Sequence, residues 1–211
     1  MKTIILFIAL FLFSQAHAQD GSLSSLFGGE GHNGLQISAY IGGAVGNVKA
    51  KGDSIGNVVF KGTTIHFLMH AGYAVDDWAF GVAAGFNSLS INSISVNGVS
   101  NDKGTLSSID NELIGDYLTK YFMPINVFVC IEGGVGKFSI TDKGGTSLGE
   151  TDNSFAWNIR AGKEFFIGKK KKLGLGAYII LSGLKCHDKA PAANDTYSYL
   201  GPGAGLALSF H

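Results

Sequence analysis

The chain has 211 residues, with 16 Lys+Arg against 16 Asp+Glu, no formal net charge and only 15% charged residues. That balance excludes a polybasic nucleic-acid binder and an acidic, disordered solvating segment. Hydrophobic residues reach 45%, and the 31 glycines disfavour a helical bundle, because a glycine inside a helix costs about 1 kcal/mol relative to alanine. An all-β chain carrying many small residues is the expectation.

The first element reads as an address. Lys2 precedes an apolar run from Ile4 to Phe13, then Ser14-Gln15-Ala16-His17-Ala18, the pattern of a secretory signal peptide over 1–18 cleaved before Gln19. The run is shorter than the ~20 residues a membrane-spanning helix requires. Gln19, not a cysteine, stands immediately after the cleavage position, which disfavours a lipid anchor. Residues 19–34 are rich in Ser and Gly and read as a flexible lead-in.

From Leu35 to Phe210 the sequence alternates with a period of two. In the first strand Leu35, Ile37, Ala39, Ile41 and Val45 share a face, opposite Gln36, Ser38, Tyr40, Gly42 and Ala44. The second sets Ile65, Phe67, Met69, Ala71 and Tyr73 against Thr64, His66, Leu68 and His70, and the third sets Trp78, Phe80, Val82 and Phe86 against Ala79, Gly81, Ala83 and Gly85. The fourth, near Leu113 to Met123, is read with Leu113, Tyr117 and Tyr121 on the apolar face and Asp116 and Lys120 opposite. The fifth alternates Val127, Val129, Ile131 and Val135 with Cys130 and Glu132, and the sixth Phe155, Trp157, Ile159 and Phe165 with Asn158, Arg160 and Glu164. The seventh carries Leu175, Ala177, Ile179 and Leu181, and the last ends in Leu206, Leu208 and Phe210.

Connection lengths add independent information. Asp76-Asp77, the surroundings of Pro124, and Gly168 to Lys172 are short; Lys49 to Thr63, Ser90 to Glu112, Thr141 to Asn153 and Lys185 to Asp195 are long. Short and long alternate, as in a meander whose tight turns lie at one end and whose loops lie at the other. Outer-membrane barrels have this asymmetry, with short periplasmic turns and longer extracellular loops. A sheet in lipid must close to satisfy its backbone, and the strands have the 9–11 residues that crossing at a tilt requires. The predicted fold is an all-β, eight-stranded antiparallel up-and-down transmembrane β-barrel over 35–210.

The large aliphatics and aromatics are expected to face lipid, with Gly, Ala, Ser, Asn and several charges lining a narrow lumen that is no dry hydrophobic core. Asp116, Lys120, Glu132, Arg160 and Glu164 are expected inside as an ion-paired network, Asp116 with Lys120 and Glu132 with Arg160, because unpaired buried charge costs several kcal/mol. Tyr73, Trp78, Tyr121 and Phe165 near the turn end, and Trp157 nearer the loop end, are expected to form interfacial girdles.

These segments, with the signal peptide and repeats such as Glu132-Gly133-Gly134-Val135-Gly136, resemble the small outer-membrane β-barrel family, the OmpA/OmpX-like eight-stranded transmembrane domain. The resemblance implies a bacterial outer-membrane location among lipid and lipopolysaccharide, and a structural role with extracellular loops serving adhesion or defence towards a host or other extracellular partner. It also implies that the barrel-assembly machinery reads a terminal aromatic, here Phe210, although His211 follows it. No nucleic-acid partner, cofactor or metal is expected.

His66 and His70 share a face but lack a further ligand nearby in sequence, whereas closed zinc sites usually take four. Cys186-His187-Asp188 is contiguous, and contiguous residues rarely orient one another as a triad. Cys130 and Cys186 are expected at different heights, against a disulfide that needs Cα atoms within about 7 Å. Lys169 to Lys172 read as a solvated turn. A lipid-modifying enzyme would need a hydroxyl nucleophile beside a His and a carboxylate at the outer rim, and His66 has Leu68 two residues on. A small-solute channel is disfavoured because eight strands leave an interior that side chains just fill.

Overall fold

A computed structural model describes residues 34–52, 55–102, 104–122, 125–167, 172–189 and 195–211. The expected signal peptide, the lead-in up to residue 33 and Lys169 to Lys171 lie outside the described residues. The strands are β1 (Gly34–Gly52), β2 (Gly56–Val75), β3 (Trp78–Val96), β4 (Val99–Asn101), β5 (Leu106–Phe122), β6 (Val127–Asp142), β7 (Ser147–Glu150), β8 (Ser154–Ile167), β9 (Leu173–His187) and β10 (Thr196–Phe210).

The eight long strands pair antiparallel in the cyclic order β1-β2-β3-β5-β6-β8-β9-β10, and β10 pairs back onto β1 to close the ring. The two short strands, β4 and β7, extend the hairpins of β3 and β6. Closure leaves no long strand with an unpaired edge, as a sheet in hydrocarbon requires.

The long connections of the sequence reading are largely strand. β1 and β2 stay paired out to Gly52 and Gly56, β3 continues to Val96, and β5 already begins at Leu106. Between Val96 and Val99 the chain reverses through Asn97 and Gly98, both with positive φ (50° and 85°), which a two-residue hairpin of the I′ kind requires. The Asn-Gly pair was the available signal for that hairpin. With 20 residues in β2, at about 3.3 Å each and a tilt of roughly 40°, the wall stands roughly 50 Å high, about twice the ~25 Å apolar band of such barrels.

The two halves of that wall have opposite polarity. In the turn half Ile41, Phe67, Val82, Ile114, Ile131, Ile159 and Leu206 face outward and are exposed. The band ends near Val45, Ile65, Phe86, Val135, Phe155 and Leu200; beyond it most outward positions are polar, among them Lys49, Lys61, Ser90, Glu112, Lys137, Lys185 and Ser198. The inward positions of this upper part, which we call the crown, are apolar and buried: Val48, Phe60, Leu89, Ile91, Ile109, Phe138 and Tyr197. The expectation that the inner face holds no dry core is therefore corrected for the crown. There water replaces lipid outside, so the polarity of the wall inverts and the interior packs as in a soluble barrel.

Candidate functional site: the filled lumen and the crown

The lumen is filled in layers. At the turn end Gln36 donates from Nε2 to the Tyr121 hydroxyl at 2.5 Å. His211 folds inward beside the Tyr121 and Phe166 rings, with its Nε2 3.5 Å from a carboxylate oxygen of Glu164. Phe128 is buried at the same level, and a Cβ on Gly162 would strike its ring.

The middle layer centres on Arg160, which is 1% exposed. Its guanidinium forms an ion pair with Glu132, lies 2.8 Å from Nε2 of His70 and 3.4 Å from Sγ of Cys130, and stacks 3.7 Å from the centroid of the Tyr40 ring. Glu132 also contacts His70 at 2.9 Å and accepts from Asn158 Nδ2 at 2.7 Å. The His70 ring stacks on Tyr117 with centroids 4.0 Å apart, and His66 is 2.6 Å from the Tyr178 hydroxyl. A charge pair taken out of water is tolerable only with such surrounding hydrogen bonds.

His70, Cys130 and Glu132 bring three ligand-type atoms within 4.8 Å of one another. No further ligand for the His pair is visible near it in sequence because the additional groups come from β6, across the barrel from β2. The same three side chains converge on the Arg160 guanidinium, so a protein cation already stands among them.

Above this layer Asn87 donates to Asn111 at 2.6 Å. A cavity of about 10 Å³ lies there, lined by these residues with Asn158, Ser182 and Leu184, room for about one water molecule. The apolar crown interior closes the top.

The structure separates the expected lumen set. Glu132, Arg160 and Glu164 lie inside, whereas Asp116 and Lys120 lie on the outer face of β5 with Ile114 and Leu118. The face assignment of β5 is thus inverted: Leu113, Tyr117 and Tyr121 point inward and are buried. Lys120 reaches the turn, 3.3 Å from Asp77 and 4.9 Å from the Trp78 ring centroid. Asp116 is exposed in the middle of the apolar band, level with Val82 and Gly133 on the neighbouring strands.

Tyr121, fully buried, is corrected from girdle to lumen plug. Tyr73, Trp78 and Phe165 are exposed at the turn end of the outer face. Trp157, half-buried, lies across from Gly183 at the upper edge of the band, where a Cβ on that glycine would strike the indole. Phe210 faces outward, paired with Ile37 and Leu173. Cys130 and Cys186 are both buried and free; β9 sends Cys186 inward and His187 outward, so alternation splits that contiguous cluster.

No protein-family model matches the chain, and no curated protein sequence matches it. Among solved structures it is similar to the outer membrane protein AlkL in lipid bilayers, with 15% identity, a TM-score of 0.54, and 87% of this chain and 92% of that one covered. It also aligns with Neisserial surface protein A at 15% identity and a TM-score of 0.47, covering 83% of this chain and 96% of that one. The closed ring of eight long strands, the lipid-facing belt and the AlkL likeness agree: the chain has the fold of the small outer-membrane β-barrels.

Proposed function

We propose that the protein is a non-enzymatic barrel of the bacterial outer membrane, exported by a cleaved signal peptide and closed to solutes, which holds a rigid extracellular surface clear of the bilayer for adhesion or defence. The observation that carries this reading is the crown. Its strands run past the apolar band with a packed apolar interior and a polar exterior, so the contact surface is fixed by a core of its own. The Arg160 layer beneath supports a closed lumen, because an open path would have to break a buried ion pair. Insertion would follow recognition of Phe210 by the barrel-assembly machinery.

The test has two arms. The full chain reconstituted in planar bilayers is expected to give no steady conductance, and cells displaying it are expected to adhere to an extracellular surface more than cells displaying a variant with residues 97–105 replaced by a short turn. Steady ion conduction by the wild-type barrel would overturn the closed lumen. Equal adherence of the two strains, with equal heat-modifiable mobility on gels, would overturn the contact role. Lipid A of expressing cells is expected to keep its mass; loss or gain of an acyl chain would make the protein a lipid-modifying enzyme.

A further inference from the structure

The outer face of one flank of the crown is basic. β1, β10 and β9 lie side by side, and their register sets Lys49, Ser198 and Lys185 in one transverse row. Lys51 and Thr196 pair in the next row up, with Asn57 across from Lys51 on β2. These six side chains line an open recess of about 310 Å³ on the outer surface. Neighbouring strands are about 4.8 Å apart, so the Cα atoms of Lys49 and Lys185 are separated by roughly 10 Å with the Ser198 hydroxyl between them. Two ammonium groups at that spacing reach a single phosphate from both sides.

Elsewhere on the wall Lys137 pairs with Glu150 at 3.1 Å and Lys120 with Asp77 at 3.3 Å, whereas Lys61, exposed on β2, has no such partner among the described residues. Lys49, Lys51 and Lys185 have no carboxylate within ion-pair distance among the described residues. On the far flank Asp110 accepts from Ser88 at 2.5 Å and Glu112 is exposed on β5. On the flank of β1, β9 and β10 Asp195 is 1% exposed and Asp188 half-buried, so the lysines dominate its outer face.

The height of the recess identifies its occupant. Lys49 is four residues beyond Val45, Lys185 four beyond Leu181, and Ser198 two from Leu200, and all three apolar side chains face outward in the belt. At a tilt of roughly 40°, four strand residues rise about 10 Å to the row of Lys49 and Lys185, and six rise about 15 Å to Lys51. The headgroup layer begins at the edge of the hydrocarbon and is about 5–8 Å thick on each side, and lysine stems bend their ammonium groups towards such a layer. We infer that the recess of Lys49, Lys51, Lys185 and Ser198 binds the phosphorylated headgroup of an anionic glycolipid in the outer leaflet, whose acyl chains lie against the belt below.

This inference rests on the membrane reading above, and the test separates the two. Full-length protein in mild detergent is titrated with bis-phosphorylated lipid A, with dephosphorylated lipid A and with a soluble sulfated polysaccharide, and bound adducts are read by native mass spectrometry. Each lysine near an anionic lipid surface contributes roughly fivefold in affinity, so K49Q/K51Q/K185Q is expected to lose about a hundredfold for the phosphorylated lipid. K137Q is expected to lose little, and removing the phosphates is expected to weaken binding to the wild type. Equal retention by the triple variant and the wild type, or indifference to the phosphates, would overturn the site. Polysaccharide binding without lipid binding would assign the recess to a soluble polyanion instead and overturn the lipid. Heat-modifiable mobility of the triple variant controls for folding. A wild type that fractionates away from membranes would refute the barrel reading itself, an outcome independent of the lysines.

Discussion

Replacing Arg160 by Met would leave Glu132 buried with His70, Asn158 and the Cys130 thiol as partners and would remove the cation from the Tyr40 ring. Breaking one side of a buried ion pair costs about 3–5 kcal/mol, because the remaining charge stays in a poorly polarisable interior. Met keeps most of the volume, so little of the cost arises from a cavity. A loss of about 4 kcal/mol is a roughly thousandfold change in the unfolding equilibrium. Glu132→Gln should cost a comparable amount by stranding the guanidinium. The double variant has no charge left to strand, and its cost should fall below the sum of the singles by at least about 2 kcal/mol. Urea titration in lipid vesicles, read by the fluorescence of Trp78 and Trp157, measures all four proteins. A single Arg160→Met cost under about 1 kcal/mol, or an additive double variant, would show that this layer is not a coupled plug.

Two further outcomes follow from the placement of single side chains. Asp116→Leu removes a carboxyl group from the middle of the lipid-facing belt and should stabilise the barrel in the same titration by about 1–2 kcal/mol; destabilisation would mean that Asp116 has a partner within the membrane. Cys186 lies in the crown interior, where burial pushes its thiol above the ordinary value, and Cys130 is 1% exposed beneath Arg160. Both should resist a polar maleimide in the folded protein at neutral pH and react after denaturation, with Cys186 labelling staying low as the pH rises through the usual thiol range. Rapid labelling of either cysteine in the folded state would contradict a closed interior.

The alternation from Leu35 to Phe210 and the succession of turns were enough to specify a meander of eight strands, because a period of two is a property of neighbouring residues. The same pattern placed Glu132, Arg160 and Glu164 on the inner face, since β6 and β8 separate large apolar from polar side chains cleanly. β5 does not. Tyr117 and Tyr121 alternate with Ile114, Asp116, Leu118 and Lys120, so each face mixes greasy and polar groups and local pattern cannot choose between them. Register decides it: β5 pairs Tyr117 with Glu132 on β6 and with Gly81 on β3. There the tyrosine ring stacks on His70, while Asp116 is left outside. The crown resembles loop in the sequence for a related reason. Its outward residues are polar and its inward ones apolar, the reverse of the belt, and only the height of the closed wall shows where lipid ends. The sequence by itself determined an alternating, glycine-rich meander suited to closing on itself. Tertiary structure alone decided which face is which on β5, which groups from β1, β2, β6, β8 and β9 meet at Arg160, and where the outside changes from hydrocarbon to water, because each depends on residues far apart in the chain or on the surrounding solvent.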